Sequence, residues 1–193
     1  TRELALWAKE EGVDFSTLSD EAFDSPLGEA TGAGVIFGNT GGVMEAALRT
    51  AIFYVTGKNP EDVELKEVRG YDGIREKEVQ VGDVTLRVAI IYGTANAKAF
   101  IEDMKKSGKT YHAVEVMTCP GGCIGGGGQP KDINKDPDEV RKARISSLYN
   151  RDGEMKNRLS HENKEIKELY KEFYGEPLSP LAEKMLHTAY LDR

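Results

Sequence analysis

The stretch "IREKEVQVGDVTLRVAII" most limits what this chain can fold into. Apolar residues alternate on both sides of Gly82-Asp83, with Val79 and Val81 before the pair and Val84, Leu86, Val88 and Ile90 after it. Two alternating runs joined by two turn residues specify a β-hairpin, because only one face of each strand then meets a core. The segment "AKAFIEDMKKSG" reads next as a helix with Ala97, Phe100, Ile101 and Met104 inward, and "YHAVEVM" follows as a strand. Upstream, "GGVMEAALRTAIFYVTG" is the strongest helix. Met44, Ala47, Leu48 and Ala51 recur at helical spacing, Glu45 and Arg49 form an i,i+4 pair, and Gly57 ends it. Together these elements predict an α/β fold, a mixed sheet flanked by helices, over residues 1–133.

The remaining segments are assigned by the same rules. "TRELALWAKEEG" reads as a helix with Leu4, Trp7 and Ala8 on one face. "FSTLSDEAFDSPLGEATGAG" is turn-rich and irregular, "VIF" a short buried strand, and "VELKEV" a further strand. From Lys131 the character changes. Asp136-Pro137-Asp138-Glu139 has the form of a capped helix start. Helices are expected at about 137–150, 163–174 and 180–188. Their apolar stripes are Val140/Ala143/Ile145/Leu148, Ile166/Leu169/Tyr170/Phe173 and Leu181/Met185/Leu186. Helices this short do not persist alone in water, so residues 134–193 are predicted to form an extended helical belt lying across a larger body.

Composition narrows the function classes. The chain has 193 residues and a net charge of -7, which argues against a sequence-independent grip on nucleic acid phosphates. No apolar run approaches the roughly 20 residues of a membrane span. Two cysteines do not make a disulfide scaffold. With no signal peptide at its start, the chain is expected in a reducing compartment, the cytoplasm. It opens on Thr1 rather than Met, and so reads as a fragment or a processed piece.

Both cysteines sit in "EVMTCPGGCIGGGGQP", as Cys119 and Cys123, spaced C-x-x-x-C among six glycines and two prolines. As ordinary buried thiols they would stand in an unusual place, because core cysteines seldom lie in such a loop. Zinc wants four ligands, usually from paired cysteines or histidines. No second pair exists, and His112, His161 and His187 are scattered. An iron–sulfur cluster suits the loop better, since thiolates hold such clusters and glycine lets backbone N–H groups approach the inorganic sulfides. The count remains a difficulty, for a cubane wants four thiolates and the chain supplies two.

A second glycine-rich run, "GEATGAGVIFGNTGG", comes close to a dinucleotide fingerprint but has GxGxxxG spacing, and no GK[ST] follows for a P-loop. Its glycines make tight turns, or they bring backbone close to a ligand, with Gly41 and Gly42 opening a helix whose N-terminus favours an anion. Phe37 and Met117 stand beside the two loops as core residues, or as pocket walls if the loops converge. Glu45 serves its helix. Glu115 shares a strand face with Met117 and is either near a site or exposed.

On these residues the chain resembles the [FeFe]-hydrogenases. "EVMTCPGGCIGGGGQP" is similar to that family's third cysteine signature, V-M-x-C-P-G-G-C followed by G-G-G-Q-P. "TGAGVIFGNTGGVMEAALRTA" is similar to its glycine-rich loop and helix, and "HENKEIKELYKEFYGEPLSPLAEKMLHTAY" to its small-subunit sequence. The resemblance covers nearly the whole chain. It implies one lobe of a two-lobed domain that catalyses the reversible reduction of protons to dihydrogen. The cofactor would be the H-cluster, a [4Fe–4S] cubane joined through one cysteine sulfur to a diiron subcluster with CO, cyanide and a bridging dithiolate. It further implies that Cys119 ligates the cubane and Cys123 bridges cubane and diiron unit. Phe37, Gly38, Val43 and Met117 would wall the diiron pocket, with the anionic site favouring the helix start at Gly41-Gly42.

The family's first two signatures, T-S-C-C-P and P-C-x-x-K-K, are absent, and with them the other two cubane cysteines and the proton relay. The implied partners are the absent N-terminal half of the catalytic domain, carrying additional Fe–S clusters, and a redox partner such as ferredoxin, NAD(P)H-linked subunits or a cytochrome. Gly125 stands where the family usually has Asn, and Ala189 where its tail usually has His. A related class of iron–sulfur protein assembly factors without hydrogenase activity shares a looser form of the cysteine signature.

Overall fold

The computed structural model describes residues 1–25 and 27–188; Ala189 lies outside them. The hairpin forms as its alternation requires. β1 (Ile74–Val81) and β2 (Val84–Tyr92) pair antiparallel with Val81 opposite Val84, turning at Gly82, whose φ of 59° suits glycine. β3 (Ala113–Met117) then pairs parallel to β2, with Ile90 opposite Glu115, and closes a three-stranded sheet of order β1-β2-β3. The sheet is therefore mixed, as expected.

A helix covers each face. α3 (Gly42–Thr56) packs Met44 and Leu48 on Val79, Val81, Val88 and Ile90, with Val68 completing the cluster. α4 (Thr94–Ser107) packs Phe100 on Ala89 and Ile91 from the other side. Val84 is half exposed because it sits at the hairpin tip, and Ile101 is exposed rather than inward because the face of α4 turned to the sheet is the Ala97/Phe100/Met104 stripe, from which Ile101 is rotated away. Ala47 is exposed and Ala46 buried. The reason is that α3 is packed on two sides, with Ala46 meeting Ala33 and Ile36 in a second cluster.

Two expected strands are replaced by tight helical turns. "VIF" belongs to α2 (Gly32–Val35) and the 3-10 turn Ile36–Gly38. Thr31 caps α2 by accepting from Gly34 N at 3.2 Å, and Ala33 and Ile36, three apart, face the same slot between α3 and Tyr149. "VELKEV" folds as a 3-10 turn, Lys66–Val68. Only Val68 among its residues is fully buried, while Glu64 turns toward Arg69 and Arg158, so the segment lacks the alternation a strand needs.

α1 (Arg2–Glu10) buries only Ala8 of its apolar face; Leu4 and Trp7 stay exposed. α5 (Pro137–Glu154) starts on Asp136, which accepts from Asp138 N and Glu139 N, and runs past the expected 150. Its Ala143 is exposed. α6 (Lys164–Leu169), capped by Asn163, passes into a π turn over Tyr170–Tyr174, and α7 (Pro180–Leu186) is capped by Ser179. No described helix is long and apolar enough to cross a membrane.

Candidate functional site

β3 ends at Met117 and delivers the chain straight into the cysteine loop. Met117 O accepts from Gly93 N at 2.8 Å, which ties the strand end to the start of α4. The loop then turns on itself: Gly122 N donates to Cys119 O at 3.0 Å, Gly125 N to Gly122 O and Gly126 N to Cys123 O. Gly121 and Gly122 take φ of 76° and 96°, a region that L side chains rarely adopt. Both cysteines are free thiols, Cys119 half-buried and Cys123 exposed.

The two glycine-rich runs meet. A Cβ on Gly122 would lie 2.8 Å from Asn39 Cα and from Thr40 N, and Thr40 N donates to Gly121 O at 3.0 Å. Gly38 faces Ile124 and Leu148. Phe37 and Gly38 lie in the turn leading to this contact, Val43 one residue into α3, and Met117 at the end of β3. Phe37 is 45% exposed, and Gly38, Val43 and Met117 are partly buried. α5 clamps the far side of the loop. Arg144 donates to Ile124 O at 2.9 Å and to Pro130 O at 2.6 Å, and a cavity of about 450 Å³ lies beside it, lined by Gly125, Gly126, Arg141 and Arg144 among others.

The start of α3 differs from expectation. Two of the N–H groups there are already taken: Gly41 N and Met44 N donate to the two oxygens of Glu115 at 2.5 and 2.7 Å. Glu115 is therefore buried, and it is the anion at this helix N-terminus. Burial pushes its carboxyl above the usual carboxylate value, while the two backbone donors and nearby Arg75 pull it back. Glu45 likewise does more than pair along its helix. It accepts from Arg49 and from Arg69, and Arg49 forks onto Asp152 of α5 at 3.0 and 2.8 Å.

Arg75, Asn39, Thr40 and Arg144 were not singled out from the sequence. One signal was available for Arg75, which keeps the inward parity of Val79 and Val81 along β1.

Two thiols on bare backbone match one side of a thiolate-held iron–sulfur cluster. They do not complete one, and among the described residues no group of three or more His, Cys, Asp or Glu is placed to hold a metal ion. A side chain at position 126 would rest on the Cys119 sulfur, 3.8 Å from its Cβ, so glycine there keeps the thiol uncovered. The donor set fits half of a cluster site.

Residues 1–127 match the family described as "Iron only hydrogenase large subunit, C-terminal domain". The chain belongs to the iron-only hydrogenase family. Residues 138–193 match a second family of the same enzymes, "Iron hydrogenase small subunit". The chain is 48% identical over its whole length to the NADP-reducing hydrogenase subunit HndD of Solidesulfovibrio fructosivorans and covers 32% of that protein. It is 44% identical over 98% of its length to iron hydrogenase 1 of Clostridium pasteurianum, covering 33%. A solved [FeFe]-hydrogenase from Chlamydomonas reinhardtii superposes with a TM-score of 0.73 at 40% identity, over 98% of this chain and 54% of that one. A cytosolic iron-sulfur assembly component of Bos taurus is 31% identical over 98% of the chain, covering 40% of its own length. The chain thus spans about a third of the hydrogenase relatives it matches and about half of the solved neighbour.

Proposed function

We propose that this chain forms one side of an H-cluster site, and that the complete protein catalyses the reversible reduction of two protons by two electrons to dihydrogen. The observation that carries the reading is the seating of the Cys119–Cys123 loop against the 38–42 loop, which gathers two free thiols and nearly bare backbone at one place. When bound, the group supplies the redox and H–H chemistry, and the protein positions and tunes it. Cys119 would be a thiolate ligand of the [4Fe–4S] part, and Cys123, the more exposed thiol, would serve both that part and the diiron subcluster. Phe37, Gly38, Val43 and Met117 would wall the diiron side with largely apolar surface and limit water there. The loop glycines let the chain turn tightly around the two thiols, and glycine at 126 leaves the Cys119 sulfur uncovered.

The remaining two cubane cysteines and the proton relay come from the other half of the catalytic domain, with additional Fe–S clusters. Ferredoxin or NAD(P)H-linked subunits serve as redox partner. Among these the NADP-reducing relative favours the NAD(P)H-linked arrangement. The cytoplasm is the proposed compartment. A cluster-assembly role without hydrogenase activity is the second reading. The intact C-P-G-G-C and G-G-G-Q-P runs and the higher identity to hydrogenases favour the first.

The test compares this chain alone with the complete protein after anaerobic loading. The chain alone is expected to show no infrared bands of iron-bound CO and cyanide and no hydrogen evolution, and the complete protein to show both. Within the complete protein, Cys123→Ser is expected to lose the diiron bands, because a hydroxyl poorly replaces a soft bridging thiolate. Turnover by the chain alone, or near-normal activity of C123S, would overturn the assignment.

A further inference from the structure

Arg75, Ile90 and Glu115 stand in one row across the sheet: Arg75 pairs with Ile90 and Ile90 with Glu115. Paired residues share a face, so all three point to the α3 side. Directly above the row lies Gly41, at φ 99°. A Cβ there would meet Arg75 Nη2 at 2.9 Å and Ile90 Cγ2 at 3.7 Å. The two charged ends of the row grip the same short loop. Glu115 takes Gly41 N and Met44 N. Arg75 donates Nη2 to Thr40 O at 2.9 Å and Nη1 to Gly70 O. The loop held in this way is the one that carries the cysteine turn, through Thr40 N on Gly121 O and the contact of Gly122 with Asn39 and Thr40.

We infer that Glu115 and Arg75 are positioning residues for the cysteine pair: a buried acid and a buried base, one from each side of Ile90, fix loop 39–42 as the seat on which Cys119 and Cys123 are presented. The opposite charges make the grip two-handed. The acid takes backbone donors and the base takes backbone acceptors, so neither residue could replace the other. The brace acts unequally on the two thiols. Gly121 and Gly122 lie between them, and Cys119 is half-buried where the strand enters the turn, whereas Cys123 is exposed. Loosening the seat should therefore uncover Cys119 while leaving Cys123 almost as it was.

The experiment reads the thiols of the metal-free chain one at a time, by alkylation followed by fragment-ion mass spectrometry. It uses wild type, Glu115→Gln, Arg75→Lys and Glu78→Gln. Gln presents a donor to one of the two backbone N–H groups, and Lys cannot reach two carbonyls as the guanidinium does. Glu78→Gln neutralises an exposed acid on the other face of β1, beside Arg87, and leaves the seat untouched. The expected result is a several-fold faster reaction at Cys119 in E115Q and in R75K, with Cys123 within twofold of wild type, circular dichroism unchanged, and E78Q like wild type. Equal acceleration at both thiols, no change in the folded E115Q and R75K proteins, or loss of the fold in both, overturns the inference. A second arm rests on the H-cluster reading. In the complete protein reconstituted with iron and sulfide alone, E115Q and R75K should alter the electron paramagnetic resonance spectrum of the reduced cubane at unchanged iron content. If wild type takes up no cluster, that reading fails while the thiol rates still decide the brace.

Discussion

Gly122 shows how finely the site depends on single residues. Its φ of 96° and the 2.8 Å approach of Asn39 and Thr40 leave neither the conformation nor the space for a side chain. Its ψ of -159° puts Gly122 in a region essentially reserved for glycine, which costs an L residue about 1–3 kcal/mol, and forcing atoms into a packed contact costs about 1–3 kcal/mol more. Gly122→Ala should thus destabilise the chain by about 2–6 kcal/mol and lower the iron uptake of the complete protein. Gly127→Ala, with nothing within 4 Å of the added carbon, should match wild type in a thermal melt. A neutral G122A would show that the two loops are not seated as described. Asp152 is the counterpart on the structural side. Burial alone would raise its carboxyl, but Arg49 and Arg158 hold it below the unfolded value of 3.8. A carboxyl lowered on folding adds stability at pH above that unfolded value, and the contribution is lost as pH falls through the lower folded value. Asp152→Asn leaves Arg49 buried beside one fewer anion, for which about 3–5 kcal/mol is expected at neutral pH. The gap between D152N and wild type should narrow in acid melts below about pH 3.8.

Among the elements, those read correctly from sequence were those with a strict period or a stop signal. The hairpin carries both, in its alternating valines and Gly82, and α3 ends at Gly57 with φ 71°, as its glycine suggested. α5 announced itself through Asp136 and Pro137. Segments set by partners distant in sequence were not legible. "VIF" looks like a strand because three large apolar residues carry no period, and it becomes helical because its slot lies between α3 and α5. Glu115 could not be placed, because whether an inward acid is paired depends on where Gly41 and Met44 end up, more than 70 positions away. His161 is another such case. It stacks on Phe53 at 4.3 Å and bonds Thr50 and Asn59, joining the loop after α5 to α3. Burial lowers its pKa below 6.5. A histidine lowered on folding contributes most above that unfolded value and loses the contribution as pH falls toward the folded one. The midpoint of thermal unfolding should therefore drop between pH 7 and pH 5 more steeply in wild type than in His161→Phe. Parallel curves would mean that His161 does not titrate with folding.

At the scale of the whole molecule, much apolar surface is turned outward. Trp7 is 62% exposed, Phe23 87%, Val116 53% and Met185 55%, on α1, the loop after it, the edge strand β3 and α7. The belt joins the body mainly through its first half. Arg49 of α3 binds Asp152 and the carbonyl of Arg158, Arg158 reaches Glu64, and Gly32 N donates to Asn157 O at 2.8 Å. Farther along, Glu165 takes Ser25 Oγ and Glu29 N, whereas α7 buries only Ala182. The belt's order thus comes from contacts with residues 25–71 and with the cysteine loop, where Arg144 holds Ile124 O and Pro130 O and Tyr149 packs on Ala33 and Ile36, and not from an apolar core of its own. Each large side chain left exposed forgoes roughly 1.5–3 kcal/mol of burial, and three short helices cannot offset the entropy of ordering their chain without it. A peptide of residues 134–193 should accordingly show little helical circular dichroism by itself at micromolar concentration. Adding residues 1–133 should raise the helical signal above the sum of the parts, and Asp152→Asn in the peptide should weaken that gain at least tenfold in the concentration needed, since about 1.4 kcal/mol is a factor of ten. A cooperative helical melt of the isolated peptide without self-association would mean that the belt folds independently, and that the buried ion cluster joins two finished units rather than completing one.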